Sequence, residues 1–261
     1  MTYAACLSAC GGSAATSTSG ITTRVGEVHM HQYASGGHVD ALFVDPPTPI
    51  GETSFDAASP NTIPATLDSN GCQLYLAMNG CSGTACPVSK EVDGGRVEVS
   101  GLPTPVELTY QPQFGSYTSY STTADFLKGG VTARISGGGV GTVAAFAGEV
   151  EMPQVITPTT TLDNGIGAGL EISWAPVGDD SQVKVLLNVV PSTGYGASIV
   201  CFISENAARI RLPDAMMAHL PPAPRQLQLE VSRYRLKNVA MEGGTSVVLH
   251  GGYAVLSARA E

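Results

Sequence analysis

From Thr23 onward, short runs of alternating apolar and polar residues follow one another, each broken by Gly or Pro. A period of two puts one face of a segment in a core and the other toward water, so the pattern predicts β-strands. TRVGEVHMHQYA and HVDALFVD read as a hairpin about the Ser35-Gly36-Gly37 turn. CQLYLAMNG, GRVEVSG, VELTYQP, VTARISGGG and GTVAAFAGEVEM supply further strands, with Val97 and Val99 alternating against Glu98 and Ser100. DPPTPIGETSFDAASPNTIPATLDSNG is a Pro/Asn/Ser loop between them. FGSYTSYSTTADF reads as a polar loop in which Phe114, Tyr117 and Tyr120 form an adaptable binding surface.

Past Met152-Pro153 the same alternation resumes. In GLEISWAPVGDDSQVKVLLNVV, Leu170, Ile172 and Trp174 share one face, and Val183, Val185, Leu187 and Val189 alternate again. Between SIVCFIS and RQLQLEVSRYRLKNV, Pro213 opens a helical stretch that Pro221-Pro222 close within two turns. Leu227, Leu229 and Val231 then point inward, and SVVLHGGYAVLSARA reads as a closing hairpin. The expected fold is all-β, with two β-sandwich (immunoglobulin-like) domains in tandem. The expected divisions are 1–22 as a signal remnant and flexible tether, 23–152 as the N-terminal sandwich, and 153–261 as the C-terminal one. At 261 residues the chain has room for both.

The setting of Trp174, the one tryptophan, strengthens the second half of this reading. A Trp on an early strand that ends in Ala175-Pro176 resembles the core-anchoring Trp of immunoglobulin-like and fibronectin type III sandwiches.

Composition narrows the function classes. The chain holds 31 Gly and 17 Pro, few long helix formers, and a formal charge of −9. Phosphate binding rests on Lys and Arg, and only 13 are present, so nucleic acid is excluded as a partner. Thirteen acids face five Lys and Arg before Pro153, against nine and eight after it, which gives the halves different surfaces.

Six cysteines, Cys6, Cys10, Cys72, Cys81, Cys86 and Cys201, include no CxxC pair, which argues against a structural zinc cluster. Cys72, Cys81, Cys86 and Cys201 are the disulfide candidates, with Cys81 and Cys86 able to close their own loop. Cys201, in the apolar run SIVCFIS, reads equally as a buried free thiol. Leu7-Ser8-Ala9-Cys10 resembles the box at which bacterial lipoproteins are acylated, which implies lipid attachment at Cys10. The Gly/Ser/Ala/Thr run behind it has the composition of a tether, and several acyl chains make a firm membrane anchor.

The sharpest chemical cluster is VHMHQYASGGHVD. His29 and His31 share a strand face, and the hairpin brings His38 and Asp40 alongside. Imidazoles with a carboxylate suit zinc or copper. Asp179-Asp180 and Asp163-Asn164-Gly165 are weaker candidates for calcium, since hairpin tips favour these residues on backbone grounds. No Gly-x-Ser-x-Gly elbow occurs, and GGGVGTV and GIGAG lack the strand-loop-helix setting that lets glycines bind phosphate.

The LSACGG start with its Ser/Thr-rich tether, the Cys-rich loop from Cys72 to Val88, GRVEVSGLPTP, LEISWAP and IRLPDAMMAHLPP together resemble uncharacterised surface lipoproteins of the myxobacterial type. That resemblance implies a protein of the cell envelope, at the outer membrane or cell surface, held through a lipidated cysteine. The sequence is therefore read as a non-catalytic binding or structural module with a protein or glycan partner. The alternative is an extracytoplasmic metal-binding protein or metalloenzyme using His29, His31 and His38, with Asp40.

Overall fold

The structure, a computed structural model, describes residues 23–49, 67–76, 90–113, 117–121, 123, 125–159, 162, 166, 169–193 and 196–261. Cys10, Cys81 and Cys86, the loop residue Phe114, and the Asp163-Asn164-Gly165 turn lie outside them.

The described chain is all-β. Its strands are β1 (Thr23–Tyr33), β2 (Gly36–Pro49), β3 (Leu67–Ser69), β4 (Cys72–Leu76), β5 (Lys90–Glu91), β6 (Val97–Ser100), β7 (Val106–Leu108) and β8 (Tyr117–Ser121). There follow β9 (Thr132–Gly137), β10 (Phe146–Glu151), β11 (Glu171–Ser173), β12 (Gln182–Pro191), β13 (Ala197–Ser204), β14 (Arg209–Arg211), β15 (Arg225–Ala240) and β16 (Thr245–Ala260). One helical turn, α1 (Asp214–Met217), starts behind Pro213 as the sequence leads one to expect.

A ten-stranded sheet runs β3-β4-β13-β12-β15-β16-β1-β2-β5, with β8 also on β2. β10-β9-β6-β7 form a second sheet and β11-β14 a third. The strands of the main sheet pair antiparallel except at its middle, where β1 lies parallel to β16. Strands from both sides of Met152-Pro153 thus share one sheet.

Two apolar clusters lie on one face of it. The first joins Val28 and Met30 of β1, Val39 and Phe43 of β2, and Val247 and Leu249 of β16 to Val97, Val99, Ile135, Phe146 and Val150 of the four-stranded sheet. The second joins Leu74, Val185, Leu187, Ile199, Leu227 and Leu229 to Ile172, Trp174, Leu212 and Met216. The odd-numbered positions of β15 and β16 serve both clusters, because these strands are sixteen residues long, roughly 50 Å at ~3.3 Å per residue.

At the junction of the clusters, Arg233 of β15 meets Glu205, Nη2 to Oε1 at 3.0 Å, with both side chains fully buried. The guanidinium also donates to the carbonyls of Gln154, Val155 and Ala175, while Glu205 accepts from the backbone N–H groups of Val177 and Gly178. A buried charge is tolerable only when it is paired and hydrogen-bonded in this way.

The disulfide candidates Cys72 and Cys201, directly opposite each other on neighbouring strands, are bonded across a sequence separation of 129 residues, so of the two readings open for Cys201 the bridge holds and the free thiol falls. Two expectations change. Tyr117 belongs to a strand, not a surface loop; its ring is buried against Phe43, and its hydroxyl donates to Asp93 Oδ1 at 2.7 Å while accepting from Gly94 N–H. SVVLHGGYAVLSARA is one strand and not a hairpin. Gly251 and Gly252 stay extended because they pair with β1 on one side and β15 on the other, and Gly251 also allows close approach: a Cβ on it would lie 3.0 Å from Met152 Sδ. The turn falls earlier, at Gly243 and Gly244, both at positive φ.

Candidate metal centre

The apolar face of β1 carries Val28 and Met30, so Glu27, His29 and His31 project from the opposite face. On β2, Asp40 lies opposite His29, and His38 opposite His31. On β16, His250 lies beside His29 in the parallel register. Three strands therefore bring four of the five histidines onto one patch of the main sheet, with Asp40 and Glu27 at its margins.

Within this patch His29, His31 and His250 form the tightest set, each offering a ligand atom within 4.8 Å of the others. The ring centroids of His31 and His250 are 4.8 Å apart, and those of His29 and His250 5.2 Å. His38 stacks on His31 at 5.2 Å, and its Nε2 lies 3.3 Å from Asp40 Oδ1. Tyr234 and Tyr33 flank the ring array, 5.7 Å from His250 and His38 respectively. Burial is graded: His250 is buried, His29 and His31 are half-buried, and His38 and Asp40 form the rim.

Electrostatics separate the imidazoles. Burial, reinforced by the charges of His29 and His38, pushes His31 down to about 3. Burial with the charges of His31, His29 and Lys184 holds His250 well below its ordinary value. At His29 burial also opposes the charged form, but the hydrogen bond and charge of Glu27, with the charge of Asp40, raise it above the ordinary range. The Asp40 carboxyl is lowered: burial works against its ionisation, and the His38 hydrogen bond and three imidazole charges outweigh it. His31 and His250 are thus neutral near pH 7, the form in which imidazole donates a lone pair to a metal.

Of the residues expected from the sequence, His29 and His31 fall in the tight set, and His38 and Asp40 lie beside it. His250 was invisible to sequence reasoning, because its place depends on the parallel pairing of the first described strand with the last. Glu27 and Arg24 were missed as well; a regular strand would put Arg24 and His29 on opposite faces. Asp179 and Asp180 do not form an open oxygen cluster: Arg235 reaches them at 3.0 and 3.2 Å. His29, His31 and His250 are the one metal-suited group among the described residues.

No protein-family model matches the chain, and no curated protein sequence matches it. Among the described residues, no helix is long and apolar enough to cross a membrane.

Proposed function

We propose that this protein is a transition-metal-binding module of the bacterial cell envelope, holding zinc or copper through His29, His31 and His250. The observation that carries this reading is the convergence of three ring nitrogens within 4.8 Å from two strands that are neighbours only in the folded chain. Three imidazoles match the nitrogen preference of zinc and copper, whereas calcium and magnesium require oxygen ligands. Nitrogens around a tetrahedral zinc with bonds of ~2.0–2.1 Å sit about 3.3 Å apart, so coordination draws the set inward by small side-chain rotations.

The scaffold is read as two immunoglobulin-like sandwich units, 23–152 and 153–261, fused through a common sheet. Attachment by a lipidated Cys10 at the outer membrane or cell surface fits the Cys72–Cys201 bridge, since disulfides persist in oxidising compartments. A protein or glycan partner at the envelope belongs to the same reading.

Elemental analysis of protein purified without a histidine tag tests the metal. One zinc or copper per chain is expected, falling to a small residual on His250→Ala. Less than about a tenth of an equivalent in the wild type, after incubation with either metal, removes the proposal. Cys10→Ala, expressed with its upstream signal, is expected to leave the membrane fraction; unchanged partitioning rules out the anchor.

A further inference from the structure

Resting on the metal reading, the geometry points to Glu27 as a positioning residue that fixes which nitrogen of His29 faces the metal, with Arg24 holding Glu27 in place. His29 Nε2 lies 2.6 Å from Glu27 Oε2, so that ring nitrogen is committed to the carboxylate. Nδ1 is then the atom left to join His31 and His250. Glu27 is itself ion-paired to Arg24, and the two side chains are only 4% and 3% exposed.

An irregularity built into β1 makes this chain of contacts possible. Arg24 is opposite Ser246 and Gly26 opposite Val247, so Val25 is an extra residue relative to β16. A bulge of this kind turns one residue out of the ladder and re-aims its neighbour. Its effect here is to put even-numbered Arg24 on the same face as odd-numbered Glu27 and His29. Gly26 allows it: a Cβ there would lie 2.3 Å from Phe43 Cδ1 and 2.7 Å from the Leu42 carbonyl.

A buried acid and a buried guanidinium are costly to desolvate, and a strand needs neither to be stable. As a support for a metal ligand they have a function. A carboxylate hydrogen-bonded to the far nitrogen of a ligating histidine fixes the tautomer, orients the ring and raises its basicity, and its loss typically lowers metal affinity about 10–100-fold.

The test is zinc titration of the wild type, Glu27→Gln and Glu27→Ala, together with long-range 1H–15N spectra of the histidines and cadmium-113 coupling in the wild type. The wild-type spectra should show His29 bonded to hydrogen at Nε2 and to the metal at Nδ1. Glu27→Ala should bind zinc about 10–100-fold more weakly with unchanged stoichiometry, and Glu27→Gln, which keeps an acceptor oxygen, should fall between. A residue important only for folding would lower stability but leave the nitrogen assignment unaltered. Metal on His29 Nε2, or Glu27→Ala affinity within about twofold of wild type, overturns the orienting role alone. Should Glu27→Ala not fold, the wild-type nitrogen assignment still decides. Wild-type protein that takes up no zinc or cadmium overturns the metal reading and this inference with it.

Discussion

Glu205→Gln removes the charge opposite Arg233 and changes little else in shape. The guanidinium keeps its bonds to the carbonyls of Val155 and Ala175, both at 2.9 Å, and a longer one to Gln154 at 3.4 Å. It loses its one ionic partner in a place where neither side chain is exposed at all. Burial already holds the Arg233 guanidinium below its ordinary pKa against the attraction of Glu205 and Asp179, and the variant leaves only the more distant Asp179 charge to oppose it. Breaking a fully buried pair on one side costs about 3–5 kcal/mol, roughly a fifth or more of the ~5–15 kcal/mol that stabilises a typical domain. The amide keeps an oxygen for the Val177 N–H, so the lower half of that range is expected, about 3 kcal/mol. At a urea dependence of about 3 kcal/mol per molar, the unfolding midpoint drops by roughly 1 M. The assay reports from the right place: Trp174 is the only tryptophan, and its indole N–H donates to the Glu205 carbonyl at 2.8 Å. Arg233→Met should cost a comparable amount, because it strands Glu205 and three carbonyls. The double variant should cost less than the sum of the two. A Glu205→Gln loss below about 1 kcal/mol, or strict additivity in the cycle, would refute the reasoning that each of these buried charges depends on the other.

Replacing Cys72 and Cys201 by Ala should lower stability by about 2–5 kcal/mol, since the bridge closes a long loop; equal urea midpoints for the two proteins would contradict this. Metal-free protein should weaken in acid. His31 and His250 have folded pKa values below their unfolded value of 6.5, so their contribution is intact above pH 6.5 and is lost as pH falls. His29, raised in the folded state, works the other way and offsets part of that loss as the unfolded imidazole titrates around pH 6.5, and adds nothing further once both states are charged. The pair together approaches about 2.7 kcal/mol per pH unit, and a urea midpoint unchanged between pH 7 and 5.5 would rule this out. Gly26→Ala should cost about 1–3 kcal/mol by overpacking against Phe43, read as a fall in the thermal midpoint.

Local signals carried much of this architecture. Alternation at Val97 and Val99, and at Leu227, Leu229 and Val231, marks inward positions that the structure buries. The β1–β2 hairpin was legible from Gly36 and Gly37, and with it the neighbourhood of His29, His31, His38 and Asp40. What sequence could not supply is non-local. β8, rich in Ser, Thr and Tyr, looks like a loop until β2 offers it an edge. His250 sits in a stretch whose two glycines suggest a turn, and they stay extended because β15 and β1 pair with them on either side. The bulge at Val25 has no period to reveal it, so Arg24 and Glu27 gave no sign of acting together.

The parallel pairing of β1 with β16 has a consequence for how the protein is made. β1 has β2 beside it as soon as the hairpin is made, but its other edge is covered only by β16, the last of the described strands, so the middle of the main sheet closes after all the rest has been synthesised. Contacts of such long sequence separation come late in folding, after faster local hairpins have formed. His29 and His31 wait with β1, and the third nitrogen arrives with the final strand. A chain cut short before β16 carries His29 and His31 but not His250, so the three-nitrogen set proposed for a metal assembles only once β16 has docked beside β1.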